Sequence, residues 1–232
     1  MTNLGSYGQF CPVAMASEVL CTRWTVLILR EMCAGSTRFN ELRKGVPLMS
    51  PSLLSKRLKE LEKCGVIERA RTSEPGAFDY RLTSAGQDLQ PIVFGMGFWG
   101  QKWVEKESSL KNLDPSLLMW DMRRNLDPAP MPDKRCVVQF LYPELPPKKQ
   151  RWWLVIDDGG VDLCLTDPGY DIDLYVVTDL RTMTAIWMGL ATVRSELESG
   201  RLKLTGETAL KRSMQTWLGL SPFAKERKRV AA

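Results

Sequence analysis

The stretch from Arg38 to Tyr80, RFNELRKGVPLMSPSLLSKRLKELEKCGVIERARTSEPGAFDY, constrains the fold of this chain more than any other. It reads as a short helix, a turn, a second and well-capped helix, then two strand-like runs joined by a Gly-containing hairpin. Ser50 is a good N-cap, and Pro51 suits the first helical position, where its missing N–H costs nothing and its fixed φ is already helical. The second helix therefore starts at about residue 51. Within it Leu54, Leu58 and Leu61 recur at i, i+4 and i+7 as one apolar stripe, and Gly65 after Cys64 supplies a left-handed stop.

At about 100° per residue, Ser52, Lys56, Lys59 and Lys63 fall on the face opposite that stripe, with Ser55 on its flank and Arg57 nearer the core edge. A solvated polar face would account for this helix taken alone. The charge, however, continues on both sides: the preceding helix turns Phe39 and Leu42 inward and carries Arg38, Arg43 and Lys44, and the following strands carry Arg69, Arg71 and Arg81. Residues 38 to 71 hold nine Lys/Arg against four Asp/Glu, an excess equal to the formal net charge of +5 of the whole chain. Such a local excess is what binding to phosphates with counterion release needs. The runs VIERARTS and AFDYRLT alternate as strands joined through Glu74-Pro75-Gly76, and Arg69 and Arg71, two apart, share one strand face. The order is that of a winged helix-turn-helix, which meets duplex DNA. Ser50, Ser52, Ser55, Lys56 and Lys59 are the candidates at its second helix, and Arg69 and Arg71 at the wing.

A chain of 232 residues with 44% apolar and 25% charged content has room for two modest domains with real cores. No apolar run reaches the ~18–20 residues of a membrane helix, and the N-terminus lacks a basic segment leading into an apolar one. These features predict a cytoplasmic protein with no membrane partner. Six scattered cysteines without a C-x-x-C pair argue against a zinc site or a disulfide framework, and the absence of histidine removes Ser-His and Cys-His nucleophile pairs. We expect no metal, no cofactor and no catalysis. Asp157-Asp158-Gly159-Gly160 reads as a turn, and Asp171 with Asp173 as one polar strand face.

Ahead of the central stretch, Pro12 sits in the first turn of a helix with Val13, Ala16, Val19 and Leu20 as its apolar face. A second helix carries Trp24, Leu27, Ile28 and Met32 as one stripe, with Arg30 and Glu31 off it, and ends at Gly35. After the wing, Thr83 or Ser84 caps a helix running through Leu89, Ile92, Val93, Met96 and Trp99 to Trp103, which Pro91 is placed to kink. So apolar a helix outside a small domain needs a partner surface, and a two-fold copy suits a helix-turn-helix reading two half-sites ~34 Å apart.

Residues 11 to about 104 resemble the HxlR family of bacterial transcriptional regulators, whose architecture is related to MarR-type winged helices. The resemblance rests on Cys11-Pro12, Arg23-Trp24-Thr25 with Leu27-Ile28-Leu29-Arg30, Arg38-Phe39-Asn40-Glu41-Leu42, Ser50-Pro51, Leu54-Ser55, Arg57-Leu58, Leu61-Glu62, Gly65-Val66 and Tyr80-Arg81-Leu82-Thr83. It departs from the family at Cys21-Thr22, where a small Gly pair is usual. The resemblance implies promoter binding as a homodimer, with the N-terminal and post-wing helices forming much of the contact. It also makes Cys11 a redox candidate, set against the alternative of an inert thiol.

In the second half, PSLLMWDMRRNLD is a helix with Leu117, Leu118 and Met122 inward, and a basic Pro146-Pro147-Lys148-Lys149 turn separates strands RCVVQFLY and RWWLVID. The chain returns as VDLCLT, continues as DIDLYVVT, and closes with a helix holding Met183, Ile186, Trp187 and Leu190, a short helix to Gly200, the strand RLKLTG and the amphipathic ETALKRSMQTWLGL. This is α+β with an antiparallel-looking sheet. Asp171-Ile172-Asp173-Leu174, the Trp187 helix and Ser199-Gly200-Arg201-Leu202-Lys203-Leu204-Thr205-Gly206-Glu207 resemble the sterol carrier protein type 2-like fold. That resemblance implies an apolar tunnel and a small-molecule effector, with Trp152, Trp153, Met183, Trp187, Met214 and Trp217 as candidate lining. Plain core packing is the alternative for each of them. The tail KERKR reads as a solvated basic end.

The expected organisation is thus α+β throughout. A winged helix-turn-helix over residues 1–108, mostly α with a two-stranded wing, is followed by a sterol-carrier-like α+β domain over 113–222. The expected partners are double-stranded DNA, a second copy of the chain and an apolar effector. The competing reading is a lipid or small-molecule carrier whose helix-turn-helix is only an interaction module.

Overall fold

The computed structural model describes residues 6–72 and 77–229. The chain divides into two compact units, Met1–Gly97 and Phe98–Ala232. The first opens with α1 (Pro12–Leu20), α2 (Thr25–Cys33), α3 (Phe39–Gly45) and α4 (Pro51–Lys63). Strands β1 (Ile67–Arg71) and β2 (Phe78–Leu82) pair antiparallel, Ile67 opposite Leu82 and Arg71 opposite Phe78. The Glu74-Pro75-Gly76 connection lies outside the described residues. Then come α5 (Ser84–Gln87) and α6 (Gln90–Trp103), whose last residues belong to the second unit.

The core of the first unit gathers Ile28, Leu29 and Met32 of α2, Leu42 of α3, Leu54, Leu58 and Leu61 of α4, Ile67 of β1 and Val93 of α6. The stripe expected on α2 is rotated. Leu27 is exposed, whereas Thr25, Ile28, Leu29 and Met32 face inward and Glu31 is fully buried. Glu31 tolerates that position because Arg30 neutralises it, donating from Nη2 to Glu31 Oε1 at 2.6 Å. Trp24, the residue before α2, adopts φ +79°, the left-handed region that a non-glycine residue rarely occupies. A single helix from residue 84 to Trp103 is not what forms: α5 ends at Gln87, and Pro91 sits in the first turn of a new helix, where it has no intrahelical N–H to lose.

The second unit comprises α7 (Lys106–Ser109), α8 (Pro115–Asn125), β3 (Cys136–Leu141), α9 (Pro147–Gln150), β4 (Arg151–Asp157), β5 (Gly160–Cys164), β6 (Leu174–Thr178), α10 (Leu180–Trp187), α11 (Val193–Glu198), β7 (Leu202–Gly206) and α12 (Thr208–Trp217). The sheet runs β5-β4-β3-β6-β7. It is mixed rather than antiparallel throughout, because the connection after β5 carries the chain back across the sheet and lays β6 parallel to β3. One face, with Val138, Phe140, Leu154 and Val176, packs on Met119 and Met122 of α8, Met183 and Ile186 of α10 and Met214 and Trp217 of α12. On the other face Val137, Trp153 and Val155 form a small cluster with Cys164 and Ile172.

The basic tail is not merely solvated. Lys228 Nζ donates to the Val104 carbonyl and to Ser109 Oγ, the Arg229 amide donates to Lys102 O at 2.9 Å, and Lys102 pairs with Glu226 at 3.1 Å. Among the described residues no single helix is long and apolar enough to cross a membrane.

Candidate nucleic-acid interface

The second helix of the central stretch begins and ends where its capping residues place it. Ser50 Oγ accepts from the Leu53 amide at 3.3 Å, and the chain leaves after Cys64 through Gly65 at φ +71°. With Leu54, Leu58 and Leu61 buried, the opposite face is fixed outward. Ser52, Ser55, Lys56, Lys59 and Lys63, with Glu60 beside them, line a shallow open groove of about 370 Å³ on that face. Ser50 and Ser52 also hydrogen bond to each other through their hydroxyls at 3.2 Å.

The basic residues of this unit separate into two groups. Arg57 is drawn inward, donating to the Arg23 carbonyl at 3.2 Å and to Glu60, and Arg38 and Arg81 both pair with Asp79 of β2. Lys56, Lys59 and Lys63 pair with no carboxylate among the described residues. These three lysines are left open to an external anion. Arg69 lies on the wing with its guanidinium 3.5 Å from the centre of the Phe78 ring, and Arg71 is exposed at the end of β1. The wing is tied to the helix pair: the Tyr80 amide donates to Thr37 O at 2.8 Å, and Glu41 of α3 accepts from the Thr37 and Arg38 amides.

A second surface of this unit is apolar. Val13 and Ala16 of α1, Trp24, Leu27 of α2, and Ile92 and Met96 of α6 border a groove of about 730 Å³, and α1 contributes no buried residue. The sequence reading placed Leu27 in the inward stripe of α2, and its outward orientation follows from the rotation of that helix. Cys11 precedes α1. It closes no capping hydrogen bond, yet the amides of Ala14 and Val13 face its sulfur and draw the thiol pKa below its ordinary value.

The six aromatic and methionine candidates of the second unit do not line one opening. Trp152, Met183, Trp187, Met214 and Trp217 lie in the closed core, where Trp152 and Trp217 donate their indole N–H groups to Lys149 O and Leu210 O. Trp153 is on the opposite face of the sheet. Among the described residues no group of three His, Cys, Asp or Glu side chains is arranged to hold a metal ion.

A capped helix presenting unpaired lysines, braced by a second helix and by a two-stranded wing, defines a winged helix-turn-helix protein of the DNA-binding class. Residues 19–108 match the model for the HxlR-like helix-turn-helix. The chain is 35% identical over 102 residues to the uncharacterized HTH-type transcriptional regulator sll1512 of Synechocystis sp., covering 44% of this chain and 76% of that protein. It is 37% identical over 99 residues to the uncharacterized HTH-type transcriptional regulator YvaP of Bacillus subtilis, covering 42% and 92%. To the HTH-type transcriptional regulator YodB of the same organism it is 35% identical over 97 residues, covering 41% and 87%. The chain belongs to the HxlR-like helix-turn-helix family. These relatives are transcriptional regulators, not enzymes.

Proposed function

We propose that this protein is a cytoplasmic regulator that binds promoter DNA as a homodimer and whose second unit senses an apolar small molecule. The observation that carries the DNA-binding half is the outer face of α4, where Lys56 and Lys59 stand unpaired beside Ser52 and Ser55. Lys56 and Ser52 face the groove first, with Ser55 and Lys59 next and Ser50 at the helix cap, and Arg69 and Arg71 meet the sugar-phosphate backbone or the minor groove from the wing. The groove between α1, α2 and α6 supports the dimer: Ile92, Met96 and Val13 are exposed, and covering them with a second copy removes that apolar surface from water. Cys11, at a position where a cysteine of some family members senses oxidants, has the thiolate-favouring surroundings such a role needs.

The sterol carrier protein type 2-like assignment of the second unit draws support from its element order. A helix leads into three antiparallel strands, then a crossover strand, two helices, an edge strand and a final helix. Ligand binding there biases DNA binding only if the two protein states differ in ligand affinity, and residues 104 to 114 are the segment we assign to carry the coupling.

Genome-wide footprinting with the purified protein at two salt concentrations tests the reading. Discrete palindromic sites with half-sites about one helical turn apart are expected. Diffuse binding that vanishes with salt would instead favour a small-molecule carrier whose helix-turn-helix is an interaction module.

A further inference from the structure

The sheet of the second unit has one face on its helices and another that is covered only in part. Cys164 and Ile172 pack over Val137, Trp153 and Val155, which are buried. Beyond them, over β3, β6 and β7, the face reaches solvent: Gln139, Leu141 and Val177 are half-buried, and Tyr175 is 40% exposed.

The strand register arranges this open part in two rows. In one, Gln139 stands opposite Tyr175 and Tyr175 opposite Thr205. In the next, Arg151, Leu141, Val177 and Lys203 follow one another across β4, β3, β6 and β7. Opposed residues of adjacent strands lie on the same side of a sheet, so the Tyr175 ring and two aliphatic side chains share a floor with a cation at either end. Three strand spacings, about 14 Å, separate Arg151 from Lys203, too far for one phosphate to bridge.

The charge on this face is uncommitted. Arg151 and Lys203, together with Lys148 and Lys149 of α9 just ahead of Arg151, are exposed and pair with no carboxylate among the described residues. Such cations complement a polyanion, and the floor between them decides which kind. A duplex offers a sheet only its phosphates and leaves Tyr175, Leu141 and Val177 without an apolar partner. A single strand brings phosphates and unstacked base faces together, and an exposed aromatic ring on a sheet is where such bases stack.

We propose that this open sheet face binds single-stranded nucleic acid, with a base stacked on Tyr175 and separate phosphates held by Arg151 and Lys203. An unwound DNA strand and a transcript offer the same chemistry. The proposal goes beyond the function above and rests on neither the duplex contacts of α4 nor the effector.

The test is fluorescence anisotropy of the full chain with labelled oligothymidylate and oligouridylate of about 12 nucleotides, a span typical of single-strand sites. Binding of either supports the proposal, and the tighter of the two identifies the source. Tyr175→Ala should weaken that binding about tenfold, whereas Tyr175→Phe, which keeps the ring, should bind as the unaltered chain does. Arg151→Ala/Lys203→Ala should lower the slope of log affinity against log salt by about 1.4, the loss of two single-strand phosphate contacts. All three variants should leave duplex footprints unchanged, which separates this face from α4. An oligomer carrying 5-bromouracil should photocrosslink to the peptide that contains Tyr175. Absence of binding, equal affinity of Tyr175→Ala and the unaltered chain, or equal loss in Tyr175→Ala and Tyr175→Phe would each overturn the proposal. Displacement by polyglutamate as effective as by unlabelled oligomer would do so too, since the face would then read charge alone. Self-association abolished by Tyr175→Ala, with no oligomer bound, would give the face to a second copy instead.

Discussion

The buried carboxyl group of Glu31 occupies the space that any side chain at residue 45 would need: a Cβ built on Gly45 would lie 1.8 Å from Glu31 Cδ. Arg30 bridges the two residues, donating from Nη2 to Glu31 Oε1 at 2.6 Å and to the Gly45 carbonyl at 2.8 Å. The end of α3 is thereby keyed to α2, and the turn leading to α4 starts from a fixed point.

Gly45→Ala should therefore destabilise the protein by about 2–4 kcal/mol, because the added methyl drives Glu31 off the guanidinium that neutralises it. Urea unfolding monitored by circular dichroism measures this. A loss below about 0.5 kcal/mol, the range of an ordinary surface substitution, would show that α2 and α3 are not keyed at this point.

The two groups of basic residues on α4 should respond differently. Lys59→Ala is expected to leave stability within ±0.5 kcal/mol and to lower the slope of log affinity against log salt by about one, the signature of one lost phosphate contact. Arg57→Ala should instead cost about 1–3 kcal/mol of stability, since it removes the bond to the Arg23 carbonyl and strands Glu60. Paired salt titrations of operator binding and unfolding curves separate the two outcomes; identical behaviour would mean the division is wrong.

Met96→Arg places a charge in the apolar groove bordered by α1, α2 and α6. Sedimentation should show the dimer we propose for the unaltered chain and a monomer for the variant, with operator affinity reduced by at least tenfold, because two half-sites are no longer held together. An unchanged dimer would locate the two-fold interface on another surface.

Cys11 is drawn below the ordinary thiol pKa by the Ala14 and Val13 amides, whereas burial pushes Cys33 and Cys136 up. The thiolate is the reactive form, so lowering the pKa moves half-maximal reactivity to lower pH and raising it does the reverse. Alkylation with iodoacetamide, followed by peptide mass spectrometry across pH 6–10 (roughly the range thiols titrate), should label Cys11 ahead of Cys33 and Cys136 at the low end of that range, with the lead narrowing as the pH rises. Faster labelling of Cys136 would contradict the helix-amide account.

Much of the first unit was legible because its signals are local. A serine cap, a proline in the first turn, leucines at helical spacing and a glycine stop gave α4 its bounds and its outward face. The rotation of α2 was not legible: Leu27 and Leu29 are equally apolar, and only packing against α3 and α4 decides which turns inward. Pro91 was read as a kink and is a helix start, since either place suits a residue without an N–H and the break at residue 88 is settled by how α5 docks. In the second unit, Met and Trp content marked the helices that carry the core, yet it could not distinguish a closed interior from an open one.

What the sequence alone determined is the order of elements in the first unit, the basic face of α4 and the family, because these follow from spacing, capping chemistry and residue matches along the chain. What only the tertiary structure decided is long-range. The parallel pairing of β3 with β6, the pairing of Arg38 with Asp79, and the placing of Arg151 and Lys203 in one row of the sheet all depend on residues far apart in sequence. Side-chain type sets what a residue can do, but its neighbours in space set which charges are already satisfied and which apolar surface remains open.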